Sequence, residues 1–311
     1  MRASIVVPTT GDRGPLLPHS VGSALAQTVD DVEVLVIGDG IDEATRDVVR
    51  ELGRADERVR CFEFAKDARR GELNRHAVLT EHARGRIVTY LCDRDLYLPG
   101  HVEELERVLA DADFGHTLRF RVAEDGTATF PRYPDLLHPD ERARLDRSPY
   151  LAPLTFVGHT MAAYRALPHG WRTTPAGTAT DRYMWEQFLA AGARVGVSHR
   201  PTALTFKRGD HPGWSTQQRL VELEDWSARL RSPTVEREVV EQVIAGLERR
   251  RLELERRAWA RSLEGGADRL LPGDWGERAV RVARDVRSRL RRRPPRQEGR
   301  PPRQEGRPTR Q

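Results

Sequence analysis

Two acidic residues at an expected strand end have the clearest chemical use in this 311-residue sequence. Asp93 and Asp95 directly follow the apolar run 87–91, and Pro99 and Gly100 then stop any strand before the next helix pattern. In open α/β sheets, ligands bind at the carboxyl ends of the strands. Carboxylates at that edge can hold a divalent cation, and the cation can hold a diphosphate. A solvated acidic turn without function is the alternative interpretation.

Strand and helix patterns alternate over the first ~115 residues. Apolar or β-branched runs at 3–8, 32–37, 59–64 and 87–91 predict strands, and amphipathic segments between them predict helices. Asp42 stands at the N-cap position of the second helix. This alternation predicts a parallel sheet with helices on both faces.

The alternation ends near residue 115, and mixed elements follow. Runs 118–122 and 127–130 flank an Asp-Gly turn and predict a β-hairpin. We expect a long polar loop over residues 131–150, because they are rich in proline. Farther along we expect short strands at 195–197 and 203–206, a helix capped by Ser215, and a long charged helix over 234–262.

Composition and missing motifs limit the classes of protein to which this sequence can belong. Cys61 and Cys92 both lie in predicted strands, so they are expected to be buried and unpaired, as in a reducing compartment. The first residues enter a strand at once, which predicts no secretory signal, and no apolar run reaches the ~18 residues of a membrane span. The sequence also lacks zinc-type Cys/His spacing and a phosphate-binding lysine loop.

Positive charge is concentrated at the C-terminus. The chain carries a net charge of +5, yet residues 278–311 alone hold 13 Arg and only three acids. The remaining residues, 1–277, therefore carry a net negative charge, which argues against nucleic-acid binding by that part of the chain. The sequence Pro-Pro-Arg-Gln-Glu-Gly-Arg occurs at 294–300 and again at 301–307, and it predicts a disordered tail.

Several of these segments, in this order, resemble the family 2 glycosyltransferases of the GT-A fold. The resemblance covers roughly residues 3–210. Its pieces are Ala3-Ser4-Ile5-Val6-Val7-Pro8-Thr9, Ala26-Gln27-Thr28, Glu33-Val34-Leu35-Val36-Ile37-Gly38-Asp39-Gly40, the acids before Pro99, and the helix 181–189. It implies a GT-A nucleotide-diphospho-sugar transferase fold, an α/β fold with a mostly parallel sheet and helices on both faces. We expect a glycosyltransferase domain at 1–210, a helical C-terminal extension at 211–292 and the disordered tail at 293–311.

The resemblance also implies a reaction and roles for individual residues. The reaction is transfer of a sugar from a nucleotide-diphosphate donor to a hydroxyl acceptor, with inversion. Asp181 matches the catalytic base, although a helix N-cap role is compatible with that position. The implied donor-binding residues are Pro8, Thr9, Asp39, Arg70, Asn74 and Asp93. Asp93 and Asp95 are the implied ligands of Mg²⁺ or Mn²⁺. His159 lies where relatives line the acceptor side, but an ordinary satisfied polar residue is the favoured interpretation.

The sequence departs from the family pattern at two places. Gly38 replaces the first acid of an Asp-Asp pair, whereas Asp39 is kept. Arg94 falls where relatives place the carboxylate that most directly binds metal. A guanidinium there can hold the diphosphate in place of the metal, or it can point away and leave the acids to bind a cation. Because of this departure, a nucleotide-sugar-binding protein that has lost catalysis remains an alternative function. A dehydrogenase is disfavoured, because no Gly-x-Gly-x-x-Gly follows the first strand.

The last predicted helix, 275–291, suggests a contact with a membrane. Its apolar stripe consists mainly of Ala and Val, and eight arginines occur between residues 278 and 293. That composition suits a helix lying on an anionic membrane surface, through residues 275–293, in an otherwise cytoplasmic protein. Packing of the stripe on the helix 234–262, or arginines that only solvate the tail, are the alternatives.

Overall fold

One mixed β-sheet organises the computed structural model, which describes residues 1–131, 136–138, 152–232 and 234–270. Within that part of the chain the sheet has nine strands. They are β1 Ala3–Gly11, β2 Val32–Ile41, β3 Val59–Phe64, β4 Ile87–Tyr90, β5 Leu96–Tyr97, β6 Phe114–Val122, β7 Ala128–Thr129, β8 Val157–Thr160 and β9 Val195–Thr205.

Helices connect and cover these strands. They are α1 Leu17–Leu25, α2 Glu43–Ala55, α3 Glu72–His82, α4 His101–Val108, α5 Met161–Ala166, α6 Thr180–Ala190, α7 Thr216–Arg229 and α8 Val235–Leu270. Among the described residues, the 3₁₀ turns Gly14–Leu16, Leu154–Phe156 and Arg208–Asp210 lie close to strand ends. The predicted loop at 131–150 falls mostly outside the described residues. The predicted helix at 275–291 and the tail at 293–311 fall wholly outside them.

The parallel half of the sheet brings three strand ends together. The strand order is β3-β2-β1-β4-β8-β6-β9-β5, with β7 paired to β6. Strand β1 pairs in parallel with both β2 and β4, so Val6 lies between Leu35 and Tyr90. The carboxyl ends of these strands therefore meet at one edge. Consecutive residues of β1 are fully buried, which requires cover on both faces and confirms the predicted α/β architecture.

Several local predictions are confirmed. Asp42 caps α2, with its Oδ1 accepting a hydrogen bond from the Thr45 amide at 2.8 Å. Ser215 forms a reciprocal capping box with Gln218 at the start of α7. The hairpin of β6 and β7 forms at the Asp-Gly turn.

The prediction of two short strands at 195–197 and 203–206 was wrong. A single strand, β9, spans both segments. Its pairing with β6 contains register shifts, and one falls at the step to Pro201. Pro201 has no amide proton for the ladder, so the local pattern there looked like a break between strands. The strand predicted at 32–37 also continues farther, to Ile41.

Two apolar clusters stabilise this arrangement. The larger one fills both sides of the parallel strands and includes the rings of Phe114, Trp185 and Phe188. The smaller one lies beneath β5 and β9, where α7 contributes Leu223 and Trp226. Each fully buried side chain of this size contributes ~1.5–3 kcal/mol. Helix α7 is thus packed on the sheet at a strand end that carries acidic and basic side chains.

The chain divides into two compact units, one at Met1–Gly246 and the other beginning at Leu247. Helix α8 contributes residues to both, since it runs from Val235 to Leu270. None of the helices in the described ranges combines the length and apolar character needed to cross a bilayer.

Candidate active site

A cavity of about 960 Å³ opens at the carboxyl ends of β1, β2 and β4. Its other walls are the 3₁₀ turn at 154–156, the start of α6 and the segment 205–209. This volume lies within the usual range for pockets that bind small molecules and cofactors. The cavity wall includes most of the residues singled out from the sequence, namely Pro8, Thr9, Asp39, Arg70, Asp93, Arg94, Asp95 and Asp181.

Asp39 lies near the end of β2 and is 5% exposed. Its Oδ1 accepts hydrogen bonds from the Asp67 amide at 2.6 Å and from Asn74 Nδ2 at 3.2 Å. Lys66 pairs with Oδ2. Gly71, with φ +72°, lets the chain pass closely, since a Cβ there would lie 3.1 Å from the Asp39 Cγ. Each carboxylate oxygen can accept two bonds, so Oδ2 keeps capacity for one further donor.

Asn74 therefore affects the cavity only through Asp39. It does not line the wall, but its amide fixes the carboxylate of Asp39. Arg70 does line the wall, and its amide donates to Glu72 Oε2 at 2.8 Å. The structure brings both residues to the Asp39 side, although only Arg70 is placed to touch a bound molecule.

Asp93 is held by Arg13 and Thr9. Nη1 of Arg13 lies 3.1 Å from Oδ1 and 3.0 Å from Oδ2, and the Thr9 hydroxyl donates to Oδ2 at 3.1 Å. The Asp93 side chain is 1% exposed. Both of its oxygens are thus already engaged by protein donors. Sequence reasoning missed Arg13, whose only signal was its position two residues beyond the end of β1.

Asp95 is engaged by the backbone and by a hydroxyl. The amide of Phe206 donates to Oδ1 at 3.0 Å, and Thr155 donates to Oδ2. Phe206 follows β9, and Thr155 lies in the 3₁₀ turn. Asp95, which directly precedes β5, therefore ties the start of that strand to the 3₁₀ turn and to the end of β9.

Arg94 lies between these two acids. Its Nη1 is 3.6 Å from Asp93 Oδ1, and its buried Nε has no hydrogen-bond partner. Burial lowers the pKa of Arg94, but the nearby Cys92, Asp95 and Asp93 raise it on balance. The guanidinium is thus permanently charged and lines the cavity with donor capacity to spare.

The arrangement at 93–95 does not fit a divalent cation. A cation site needs several free oxygen ligands, yet both acids are engaged and two guanidiniums adjoin Asp93. Like charges 4 Å apart repel by about 4 kcal/mol at an effective dielectric constant of 20, and a divalent ion doubles that energy. Across the described part of the chain, no group of three or more His, Cys, Asp or Glu side chains is arranged to hold a metal.

Asp181 lines the cavity from α6. Its Oδ2 accepts a hydrogen bond from the Leu154 amide at 3.2 Å. Burial raises the pKa of Asp181, although Arg75, this hydrogen bond, Arg70 and Lys207 all lower it. The N-cap role was wrong, because the helix starts one residue earlier and Ala179 is its N-cap. A carboxylate with a raised pKa that opens on a cavity is a stronger proton acceptor than an ordinary aspartate.

Arg75 is a second residue that sequence reasoning missed. It is 4% exposed, and its guanidinium lies 4.3 Å from the ring centroid of Trp171. It lines the cavity, and its Nε and Nη2 have no hydrogen-bond partner. Together with Lys66, Lys207 and other bases it makes the described wall strongly positive, with nine basic side chains against four acids. Such a wall favours an anionic ligand.

His159 is a core residue. It is fully buried, and its Nε2 lies 2.7 Å from the Tyr90 hydroxyl, while Trp171 Nε1 donates to the same hydroxyl at 2.9 Å. Burial lowers the pKa of His159 to about 4, so the ring is neutral at physiological pH. This agrees with the favoured interpretation of a satisfied polar residue.

Comparison with protein families and known proteins supports the family resemblance seen in the sequence. The model of a family described as "Glycosyl transferase family 2" matches residues 4–168, more than half of the chain. A curated relative, GalNAc(5)-diNAcBac-PP-undecaprenol beta-1,3-glucosyltransferase of Campylobacter jejuni subsp. jejuni serotype O:2, is 31% identical over 104 residues. That alignment spans 33% of this chain and 33% of the relative, so it covers only a third of the relative's length.

Solved structures with a similar fold include two of S. aureus TarS residues 1–349. One superposes with a TM-score of 0.54 at 15% identity, covering 74% of this chain and 69% of that one. The other, a complex with UDP-GlcNAc, has a TM-score of 0.55 at 16% identity, covering 78% of this chain and 72% of that one. At this level of identity the match shows a common fold.

Proposed function

This chain belongs to glycosyl transferase family 2, and from that premise we propose that it transfers a sugar from a nucleotide-diphosphate donor to a hydroxyl acceptor, with inversion. One observation carries the proposal. A held carboxylate, Asp39, and a carboxylate of raised pKa, Asp181, line the same positively charged cavity at the sheet edge. The first has the chemistry to bind a base, the second the chemistry to accept a proton, and the wall between them suits a diphosphate.

In the proposed complex, Asp39 accepts a hydrogen bond from an N–H of the nucleotide base. Its remaining acceptor capacity on Oδ2 supports that role, and Asn74 holds it in position. Pro8 and Thr9 line the same end of the cavity, and Arg70 adds positive charge there. The UDP-GlcNAc bound to TarS in the second structure is consistent with such a donor.

The proposed chemical step is a single in-line displacement. The acceptor oxygen forms a bond to the anomeric carbon as the bond from that carbon to the diphosphate oxygen breaks. The proton of the hydroxyl passes to Asp181, and the nucleoside diphosphate leaves with the bonding electron pair. A raised pKa brings Asp181 closer to the operating pH, which improves a general base. Inversion follows, because one displacement from the opposite face occurs.

A divalent cation, Mg²⁺ or Mn²⁺, is what the family resemblance implies for Asp93 and Asp95. Because these acids are engaged by Arg13, Thr9, Thr155 and a backbone amide, no step of the reaction is assigned to a metal. Arg94 is proposed to contact the diphosphate. Its unpartnered Nε and its place on the cavity wall support this role.

Nucleotide binding is the first test. Calorimetry with UDP, GDP and dTDP, each with Mn²⁺ and with EDTA, should find one nucleotide that binds. Asp39→Ala should weaken its binding by about tenfold or more, since a charge-assisted bond to the base is lost. The control Asp47→Asn changes an exposed acid on α2 and should bind like the parent protein. Absence of binding by any nucleotide, or equal binding by Asp39→Ala, would contradict the donor site.

Turnover is the second test, because it separates an enzyme from a binding protein. The nucleotide-sugar of the selected base is offered with a panel of hydroxyl acceptors, and release of nucleoside diphosphate is measured. Release above the uncatalysed rate supports the transferase. Tight binding without transfer or hydrolysis would support the alternative, a catalytically impaired nucleotide-sugar-binding protein, which the engaged acids at 93 and 95 favour.

We also propose that residues 1–210 form the transferase domain, 211–292 an extension and 293–311 a tail. Residues 275–293 are proposed to contact an anionic membrane surface from the cytoplasm. The name of the curated relative contains an undecaprenol-linked substrate, and a lipid-linked acceptor of that kind would lie at the same membrane surface. Flotation of the full chain with anionic liposomes at low salt, but not of a truncation at Pro272, would support it. Equal flotation of both would remove 275–293 as the anchor.

A further inference from the structure

We infer that guanidinium groups take the place of a divalent cation at the donor diphosphate, with Arg13 and Arg94 as the binding groups and Arg219 as a further cation that adds positive charge near them. This inference rests on the proposed function, since it assumes a nucleoside-diphosphate donor. It assigns to the site two residues, Arg13 and Arg219, that the sequence pattern did not indicate.

Two guanidinium groups adjoin the Asp93 carboxylate. Arg13 Nη1 bridges its two oxygens at 3.0 and 3.1 Å, and Arg94 Nη1 lies 3.6 Å from Oδ1. The acid therefore lies between two positive groups at the place expected for a cation. In this arrangement Asp93 orients the guanidiniums, and their outward N–H groups remain available to a ligand.

Buried guanidinium donors in this region lack a partner. Nε of Arg94, a residue of the cavity wall, makes no hydrogen bond, and neither does Nη1 of Arg219, which is not a residue of that wall. Buried N–H groups of folded proteins are nearly always bonded, so such donors indicate a missing acceptor. A diphosphate carries many acceptor oxygens, and guanidiniums bind phosphate oxygens through paired bonds.

Positive charge is concentrated around Arg219. Burial lowers the pKa of Arg219, and the charges of Arg94, Arg208 and Arg13 lower it further. Within the described part of the chain, Asp93 is the acid that pairs with Arg13 and Arg94. Glu222, an acid near Arg219 on its own helix, is bonded to His211 at 2.8 Å. Two to three negative charges of a bound diphosphate would balance the excess.

Arg219 lies on α7, beyond the residues 4–168 that match the family model. Its Nη2 donates to the His211 carbonyl at 3.0 Å, which ties the side chain to the segment that follows Arg208. Helix α7 thus adds positive charge near the donor site from a part of the chain beyond the family match.

The inference predicts donor affinity without metal. Calorimetry compares the nucleoside monophosphate and diphosphate of the selected base, each with Mn²⁺ and with EDTA, on the full chain. We expect parent affinities to agree within about twofold between the two conditions, because the phosphate ligands are guanidiniums. A diphosphate affinity that falls about tenfold or more in EDTA would overturn the inference.

Substitution locates the effect. Arg94→Gln and Arg13→Gln should each weaken diphosphate binding about tenfold while monophosphate binding changes little, so the gain from the second phosphate is lost. Arg219→Gln should reduce the same gain by a smaller factor and leave monophosphate binding unchanged, which a purely structural residue would not do. Arg50→Gln on the exposed face of α2 is the control. Arg94→Asp should bind the diphosphate more tightly with Mn²⁺ than with EDTA.

The outcomes distinguish the two proposals. Equal losses for monophosphate and diphosphate in Arg94→Gln would contradict the guanidinium site, while the nucleotide site would stand. If no nucleotide binds to the parent chain, the proposed function fails, and this inference fails with it.

Discussion

Asp181→Asn should stop turnover while it preserves donor binding and stabilises the fold. Asparagine has nearly the same shape, and its carbonyl oxygen can still accept the hydrogen bond from the Leu154 amide, 3.2 Å from the present Oδ2. The substitution removes the proton acceptor alone. General bases contribute about 10²–10⁴-fold, so kcat should fall by that factor, equivalent to roughly 2.7–5.5 kcal/mol in the activation barrier. The Kd of the nucleoside diphosphate should be unchanged.

The effect on stability follows from the direction in which the pKa of Asp181 moves. Burial raises this pKa, so the folded protein binds the proton more tightly than the unfolded chain does. The resulting stabilisation is complete below the ordinary pKa of an aspartate and is lost as the pH rises through the raised value. Asparagine never ionises, so the variant should be more stable than the parent at neutral pH. A folded-state pKa that lies one pH unit above the unfolded value corresponds to about 1.4 kcal/mol, and each kcal/mol to ~2–4 °C in Tm for a body of this size.

Two measurements, together with a control variant, check these expectations. Thermal unfolding across acidic to neutral pH should show a Tm difference that vanishes at the acid end. The pH profile of kcat/KM for the parent should decline, as the pH is lowered, at a higher pH than an ordinary aspartate would give. Glu186→Gln, a half-exposed acid on the same helix, is the control and should behave like the parent. A variant that keeps full kcat, or one that is less stable than the parent at neutral pH, would refute the assignment.

Further expectations concern the surroundings of the site. Burial raises the pKa of Cys92 to about 12, so iodoacetamide at pH 8 should label it only slowly although it lines the cavity, and rapid labelling seen by mass spectrometry would contradict the raised pKa. Gly85→Ala would place a Cβ 2.2 Å from the Ser4 amide nitrogen, so urea unfolding should show a loss of ~1–3 kcal/mol, and an unchanged midpoint would refute the close contact. Tyr90→Phe removes the acceptor of the Trp171 N–H at 2.9 Å and should cost ~1–3 kcal/mol with no change in nucleotide Kd.

Local patterns predicted the parallel half of the fold well. The apolar runs that form β1, β2 and β4 are buried on both faces, so their composition alone indicates covered central strands. The cap at Asp42 involves only the four residues from Asp42 to Thr45 and was equally predictable. These features are local, and the parallel direction of the strands follows from the alternation of strand and helix.

The detailed site was not predictable in the same way. Arg13 meets Asp93 across 80 residues of sequence, and the contact depends on the pairing of β1 with β4 and on the path taken after each strand. Alternation along a strand would place Asp93 and Asp95 on the same face, but that rule holds only while the strand continues. Strand β4 ends at Tyr90, and the following turn sends one acid to Arg13 and the other to the Phe206 amide.

The hydrogen bonds of Asp95 change how a mutational scan of this protein should be interpreted. An acid two residues after another, before Pro99, invites substitution as a test of metal binding, and lost activity would then be taken as proof of a metal ligand. Here the same loss would arise because Asp95, which directly precedes β5, is bonded to Thr155 in the 3₁₀ turn and to the Phe206 amide after β9, so its removal loosens these segments at the cavity. Asp95→Asn, which can still accept the amide bond, would distinguish a broken scaffold from a missing charge. For this chain, activity alone is an ambiguous readout at the position that a homologue-based design would choose first.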